Sequence, residues 1–99
     1  MPRIAGKAGG DISRYYLCDS EGITIGHDSK VISFVLYFVD EKSEEVEIPI
    51  KGNKLKDEQC KLVMQVPKKT IIYFQDITVE SKGVQVKVNP MMFSIIDEN

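Results

Sequence analysis

The sequence predicts a mainly β chain, an antiparallel β-sandwich-like domain with one short crossover helix at about residues 55–66. Three observations carry that expectation. Residues 45–50 and 84–88 alternate apolar and polar side chains, the period of a strand with one covered face. Residues 31–39 are apolar on both parities. Turn signals (Asp40-Glu41-Lys42-Ser43, Gly52-Asn53, Lys82-Gly83 and Asn89-Pro90) punctuate the chain, and strand–helix–strand alternation is missing.

Residues 2–11 read as an extended or looped lead-in, with Gly6, Gly9 and Gly10 permitting backbone angles that other residues avoid. Residues 12–21 fit a loop or a short helix. Ile12, Tyr16 and Leu17 have helical spacing, Ser13 is an N-cap residue type, and Gly22 ends the segment. Ile23-Thr24-Ile25 is a short strand closed by Gly26-His27-Asp28.

Residues 31–39 form the clearest strand, with Ile32, Phe34, Leu36 and Phe38 on one face and Val31, Val35, Tyr37 and Val39 on the other. A strand apolar on both faces is expected to be central and covered on both sides. Residues 45–50 return as its hairpin partner, with Val46, Ile48 and Ile50 inward. Pro49 places that strand at an edge, since proline cannot donate to the ladder.

Leu55, Leu62, Val63 and Val66 fall on one helical stripe, and Pro67 ends it. A second long strand spans residues 70–80, with Ile71, Tyr73, Ile77 and Val79 expected on one face. Val84, Val86 and Val88 read as a half-buried strand, and residues 91–96 as the last one.

Ninety-nine residues make a single domain, and its composition (42% hydrophobic, 28% charged) is that of a globular chain. The formal net charge of −2 disfavours nucleic acid as a partner. Charge is unevenly spread. Asp40, Glu41, Glu44, Glu45 and Glu47 cluster in and beside one hairpin turn, and Lys51, Lys54, Lys68 and Lys69 follow. These residues are the candidate interaction surface, with the turn at residues 81–84 a weaker third candidate. The two cysteines, Cys18 and Cys60, are expected to be free thiols, with nothing in the sequence to bring them together. Residues 34–39 are the longest apolar run, too short to span a membrane, and no signal peptide is evident. That leaves a cytosolic protein or a domain cut from a longer exported or membrane-anchored chain.

Catalytic, cofactor-binding and metal residues are all expected to be none. His27 is the only histidine and stands in a turn without partner ligands. The opening Gly6-Lys7-Ala8-Gly9-Gly10 resembles a phosphate loop, but its lysine precedes the last glycines and no strand leads into it. Gly6, Gly9, Gly10 and Gly83 are therefore assigned to structural turns. Tyr15-Tyr16 and Tyr73-Phe74 could stack bases only in a basic groove, and core packing is the preferred reading for the second pair. A carbohydrate or other small ligand would need a concave pocket with exposed aromatic and convergent polar groups.

Taken in order, Gly6-Lys7-Ala8-Gly9-Gly10 with Ile12-Ser13, Val31-Ile32-Ser33-Phe34, Gly52-Asn53 with Leu55, Tyr73-Phe74-Gln75-Asp76-Ile77, Lys82-Gly83 and Val88-Asn89-Pro90 form a series. Over residues 2–96 it resembles the C-terminal domain of the gliding-motility GldM family, called PorM in type IX secretion. The resemblance implies a β-rich, non-enzymatic domain without cofactor, excised from an inner-membrane-anchored periplasmic shaft of Bacteroidota. It implies protein partners, the outer-membrane-associated ring components, with no nucleic acid and no membrane contact by the domain itself. It also implies a homodimer in the full-length parent. Reuse of such a domain in another envelope protein is the alternative that it leaves open.

Overall fold

A computed structural model describes residues 2–26 and 28–96. In chain order its elements are β1 (Arg3–Ile4), β2 (Gly10–Ser13), α1 (Arg14–Asp19), β3 (Ile23–Thr24), β4 (Ser29–Val39), β5 (Glu45–Lys51), α2 (Asp57–Gln65), β6 (Ile71–Ser81), β7 (Val84–Lys87) and β8 (Met91–Ile96). The domain is mainly β and sandwich-like. A six-stranded sheet has the order β2-β8-β6-β4-β5, with β7 also paired to β6. β1 and β3 form a small second sheet. Ile4 and Ile23 of the small sheet, Leu17 of α1 and Val63 of α2 share one hydrophobic core with Phe34, Phe74 and Phe93 of the large sheet. Pairing is antiparallel except for β2 on β8, which is parallel.

β6 is the hub. Its first half pairs β8, its second half pairs β7, and β4 runs along its other side. Strict alternation would put Ile71, Tyr73, Ile77 and Val79 on one face, as the sequence suggests. The structure corrects this: Ile72, Phe74, Ile77 and Val79 are buried. The parity changes because β6 holds an extra residue between the pairs Ser33–Thr78 and Val35–Gln75, with Asp76 at φ +48°. Asp tolerates this left-handed conformation better than most residues. A second register shift between Val31 and Ser33 puts Val31, not Ile32, among the buried residues.

Other expectations are corrected in the same way. β4 is central but covered on one face, since Val35 and Tyr37 are only half-buried and Val39 is exposed. Val84 and Val86 are 59% and 48% exposed, because β7 pairs only the outer half of β6 and none of the described residues covers them. Leu62 is exposed on α2, although Leu55, Val63 and Val66 are buried. The lead-in holds two strands, β1 and β2, and residues 14–19 form a second helix capped by Ser13, whose hydroxyl accepts from the Tyr15 N–H.

The turns follow from their residues. Lys82 and Gly83 both have positive φ, the type I′ geometry that suits a two-residue hairpin. Ala5 and Gly6 make the same turn between the paired Ile4 and Lys7. Gly9 leads into β2, and Gly10, at φ +92°, is that strand's first residue, paired with Phe93, and not part of a turn. Gly22 is the most constrained glycine. Its φ is +94°, and a Cβ there would overlap the Asn53 carbonyl. Asn53 holds this segment by donating from Nδ2 to the Glu21 and Ile23 carbonyls, and its own carbonyl accepts from the Ile23 N–H at 2.7 Å.

The two helices are joined by a buried cation. α2 has Asp57 and Glu58 in its first turn and no basic residue in its last. Arg14 of α1 supplies the missing positive charge. Its guanidinium donates to the Val63 and Met64 carbonyls at 3.3 and 2.8 Å, near the negative end of the helix. No helix among the described residues is long and apolar enough to cross a membrane.

Two outcomes are expected in urea denaturation. Gly22→Ala loses at least ~2 kcal/mol, combining left-handed strain with the clash at Asn53, whereas Gly83→Ala, with open space around it, loses only about 1 kcal/mol. Arg14→Met keeps much of the stem packing but strands two carbonyls, and loses about 2 kcal/mol.

Candidate functional site

Strand register determines what the uncovered face of the large sheet carries. Residues directly opposite one another share a face. Tyr37 of β4 lies between Glu47 of β5 and Tyr73 of β6, and Tyr73 lies beside Met92 of β8. The next rows hold Val39 with Glu45, and Val35 between Pro49 and Gln75. Toward the far edge Ile71 pairs with Ser94, which pairs in turn with Asp11 of β2. This makes a continuous aromatic and aliphatic strip bearing Asp11, Glu45 and Glu47, with Lys51 at one end opposite Ser33.

The centre of the strip is ordered by its own contacts. The Tyr37 and Tyr73 rings meet edge to face, with centroids 5.6 Å apart. The Tyr37 hydroxyl donates to Glu45 Oε1 at 2.7 Å. That hydrogen bond is the main reason the Tyr37 phenol titrates above its ordinary range, with desolvation and the Glu45 charge adding to it. Met92 is 54% exposed beside them. Tyrosines held in place by their neighbours have little entropy to lose on docking and present both an apolar ring and a polar tip.

The sequence-predicted surface residues divide between the two ends of the sheet. Asp40, Glu41 and Glu44 lie in the β4–β5 turn, at the same end as Lys68 and Lys69, which precede β6. Lys51 and Lys54 lie at the opposite end. Asp40 is engaged in building the turn, where its Oδ1 accepts from the Lys42 and Glu44 N–H groups, both at 2.9 Å. Glu45, Glu47 and Lys51 are the residues of this set that belong to the open face. Tyr37 escapes notice because β4 reads as covered on both sides, and Tyr73 because strict alternation puts it on the buried face of β6. A usable signal was present: the hairpin register sets Tyr37 opposite Glu47, and a charged partner argues that the shared face is wet.

The other tyrosine pair lies elsewhere. Tyr15 and Tyr16 are exposed on α1. Tyr16 borders an open cavity of about 370 Å³ with Asp19, Ser20, Glu21 and Thr24. The carboxylates there would repel a phosphate backbone. Phe74 is fully buried against Phe34 and Phe93, as core packing requires. His27 lies outside the described residues. Among the described residues no group of three potential metal ligands gathers.

The cysteines contradict the expectation that nothing brings them together. Cys18 of α1 and Cys60 of α2 line one open cavity of about 350 Å³, along with Tyr15, Lys61 and Met64. Both are half-buried free thiols. Burial first, then the adjacent Cys60 thiol, and last the Asp19 charge push the Cys18 thiol up to about 12. No protein-family model and no curated protein matches the chain.

Cys18 makes alkaline stability testable. In the unfolded chain the thiol ionises near 9.0, whereas the folded protein keeps its proton until about 12. Its contribution is therefore present below about 9 and lost as pH rises through that window. Thermal denaturation of the reduced protein should show a steeper alkaline decline than that of Cys18→Ser.

Proposed function

We propose that the chain is a non-enzymatic protein-interaction domain of the bacterial envelope, of the kind that ends the GldM shaft and contacts outer-membrane-associated ring components. The observation that supports a docking role is the open face of the large sheet. Tyr37, Tyr73, Val35, Val39 and Met92 form its apolar part, and Glu45, Glu47 and Asp11 give it negative charge. Such a face suits a partner with an apolar centre and a basic rim. The ordered series from the glycine-rich entry to Val88-Asn89-Pro90 supports the GldM reading and, with it, a periplasmic location. A GldM-like domain reused in another Bacteroidota envelope protein would use the same face.

The Tyr16 cavity favours a second reading, binding of a small polyol or sugar. A ring there stands beside two carboxylates, although the Ser20 and Thr24 hydroxyls already contact backbone, Ser20 at Leu17 and Gly22 and Thr24 at the Arg3 carbonyl. Calorimetric titration with simple saccharides, using Tyr16→Ala as control, separates this reading from the first.

The test of the main reading is binding of the purified chain to purified type IX secretion ring proteins, measured by biolayer interferometry. Tyr37→Ala and Tyr73→Ala should each weaken binding roughly tenfold or more, as tyrosines at interface centres do. Added salt should weaken it further, since exposed charges are screened over about 10 Å at 0.1 M. Failure of every ring protein to bind would sink the GldM reading. Binding unchanged in both tyrosine variants would remove the open face from it.

A further inference from the structure

α1 and α2 lie side by side and antiparallel, and two contacts fix their register. Arg14 meets the Val63 and Met64 carbonyls, and one turn further along α1 Cys18 meets Cys60, one turn earlier on α2. Residues four apart on a helix share a face, so each helix presents both of its contact residues to the other. The cysteine pair thus sits at a helix–helix seam that a buried guanidinium already holds. The seam opens to solvent through the cavity beside Tyr15, Lys61 and Met64, which gives a small oxidant access to the sulfurs.

We propose that Cys18 and Cys60 are a disulfide-forming pair, which an oxidising environment converts into a covalent staple between α1 and α2. The co-reactant is a small-molecule or protein disulfide. One protein thiol, as thiolate, attacks the oxidant's S–S bond and expels half of it as a thiolate. The second protein thiolate then attacks the protein-side sulfur of the mixed disulfide and expels the other half. The protein loses two protons and two electrons, and the oxidant leaves as two thiols. The raised Cys18 pKa makes its thiolate scarce at neutral pH, so its own attacking step is slow there and speeds up as pH rises. The inference stands independently of the proposed function, since it rests on the helix seam alone.

The bond would close the chain between residues 18 and 60, a segment that contains β3, β4 and β5. Cross-linking a loop this long restricts the unfolded chain substantially more than it restricts the folded one. The test is to equilibrate the purified chain with oxidised and reduced glutathione over a range of ratios. Intact mass and maleimide labelling then report the thiols. The expected product is a monomer lighter by two hydrogens, with both thiols protected and Tm raised on the order of 10 °C. Dithiothreitol should reverse all three changes. Cys18→Ser and Cys60→Ser should each retain the reduced protein's Tm under oxidant, and two separate variants guard against one failing to fold. Glutathione adducts without an internal bond, disulfide-linked dimers alone, or an internal bond that lowers Tm would each overturn the proposal.

Discussion

The extra residue at Asp76 is the constraint on which the rest of the architecture depends. β6 must serve β8 with its first half, β7 with its second, and β4 along its length. Its large apolar residues stand at 72, 74, 77 and 79, a spacing that an unbroken strand would split between two faces. The bulge collects all four on one face, and so decides that Tyr73 faces out and Ile77 faces in. Without it the core would lose half of its central strand and the open face would gain buried-type residues. The nearby Lys87–Asp76 ion pair, 3.8 Å long and well exposed, adds little by comparison.

A sheet with one apolar face needs a cover, and the cover here is made of short pieces. β1 and β3 are two residues each, and α1, of six residues, is less than two turns. None of these would hold its shape alone. They are fixed by a few polar contacts placed where the backbone would otherwise go unsatisfied. Asn53 secures the approach to β3, Ser13 starts α1, and Arg14 finishes α2 from outside. The molecule therefore has a stiff sheet, built by long strands, under a cover whose integrity rests on single side chains.

How much of this could be read beforehand depends on how local the cause was. The β4–β5 hairpin, the edge position of Pro49, the end of α2 before Pro67 and the final strand were all legible, because each follows from pattern or from proline's missing N–H. Ser13 also signalled α1 correctly. The failures have a common origin in tertiary pairing. Nothing in residues 70–80 announces that Asp76 will adopt positive φ, so the faces of β6 were misassigned. Val84 and Val86 alternate like a half-buried strand yet are exposed, since no second layer of the described residues covers them. The hairpin register, with Glu47 opposite Tyr37, hints at the open face, but the Tyr37–Tyr73 pair and the Cys18–Cys60 seam join residues far apart in sequence and depend on strand pairing and helix packing that no local pattern encodes.

The parallel pairing of β2 with β8 has a consequence for how the molecule is made. Ile12 lies beside Ile95, so β2 finds its hydrogen-bond partner only after β3 to β7 have been made. During synthesis the β4–β5 hairpin can form as soon as it emerges, since its contacts are local, but the first strand must wait. Until residues 91–96 are available, one flank of β6 and the backbone edge of β2 stay unpaired. A ribosome-bound chain truncated before that strand should carry a sticky, half-finished sheet, and completion becomes a single late event that zips an early-made strand of the domain onto a later one.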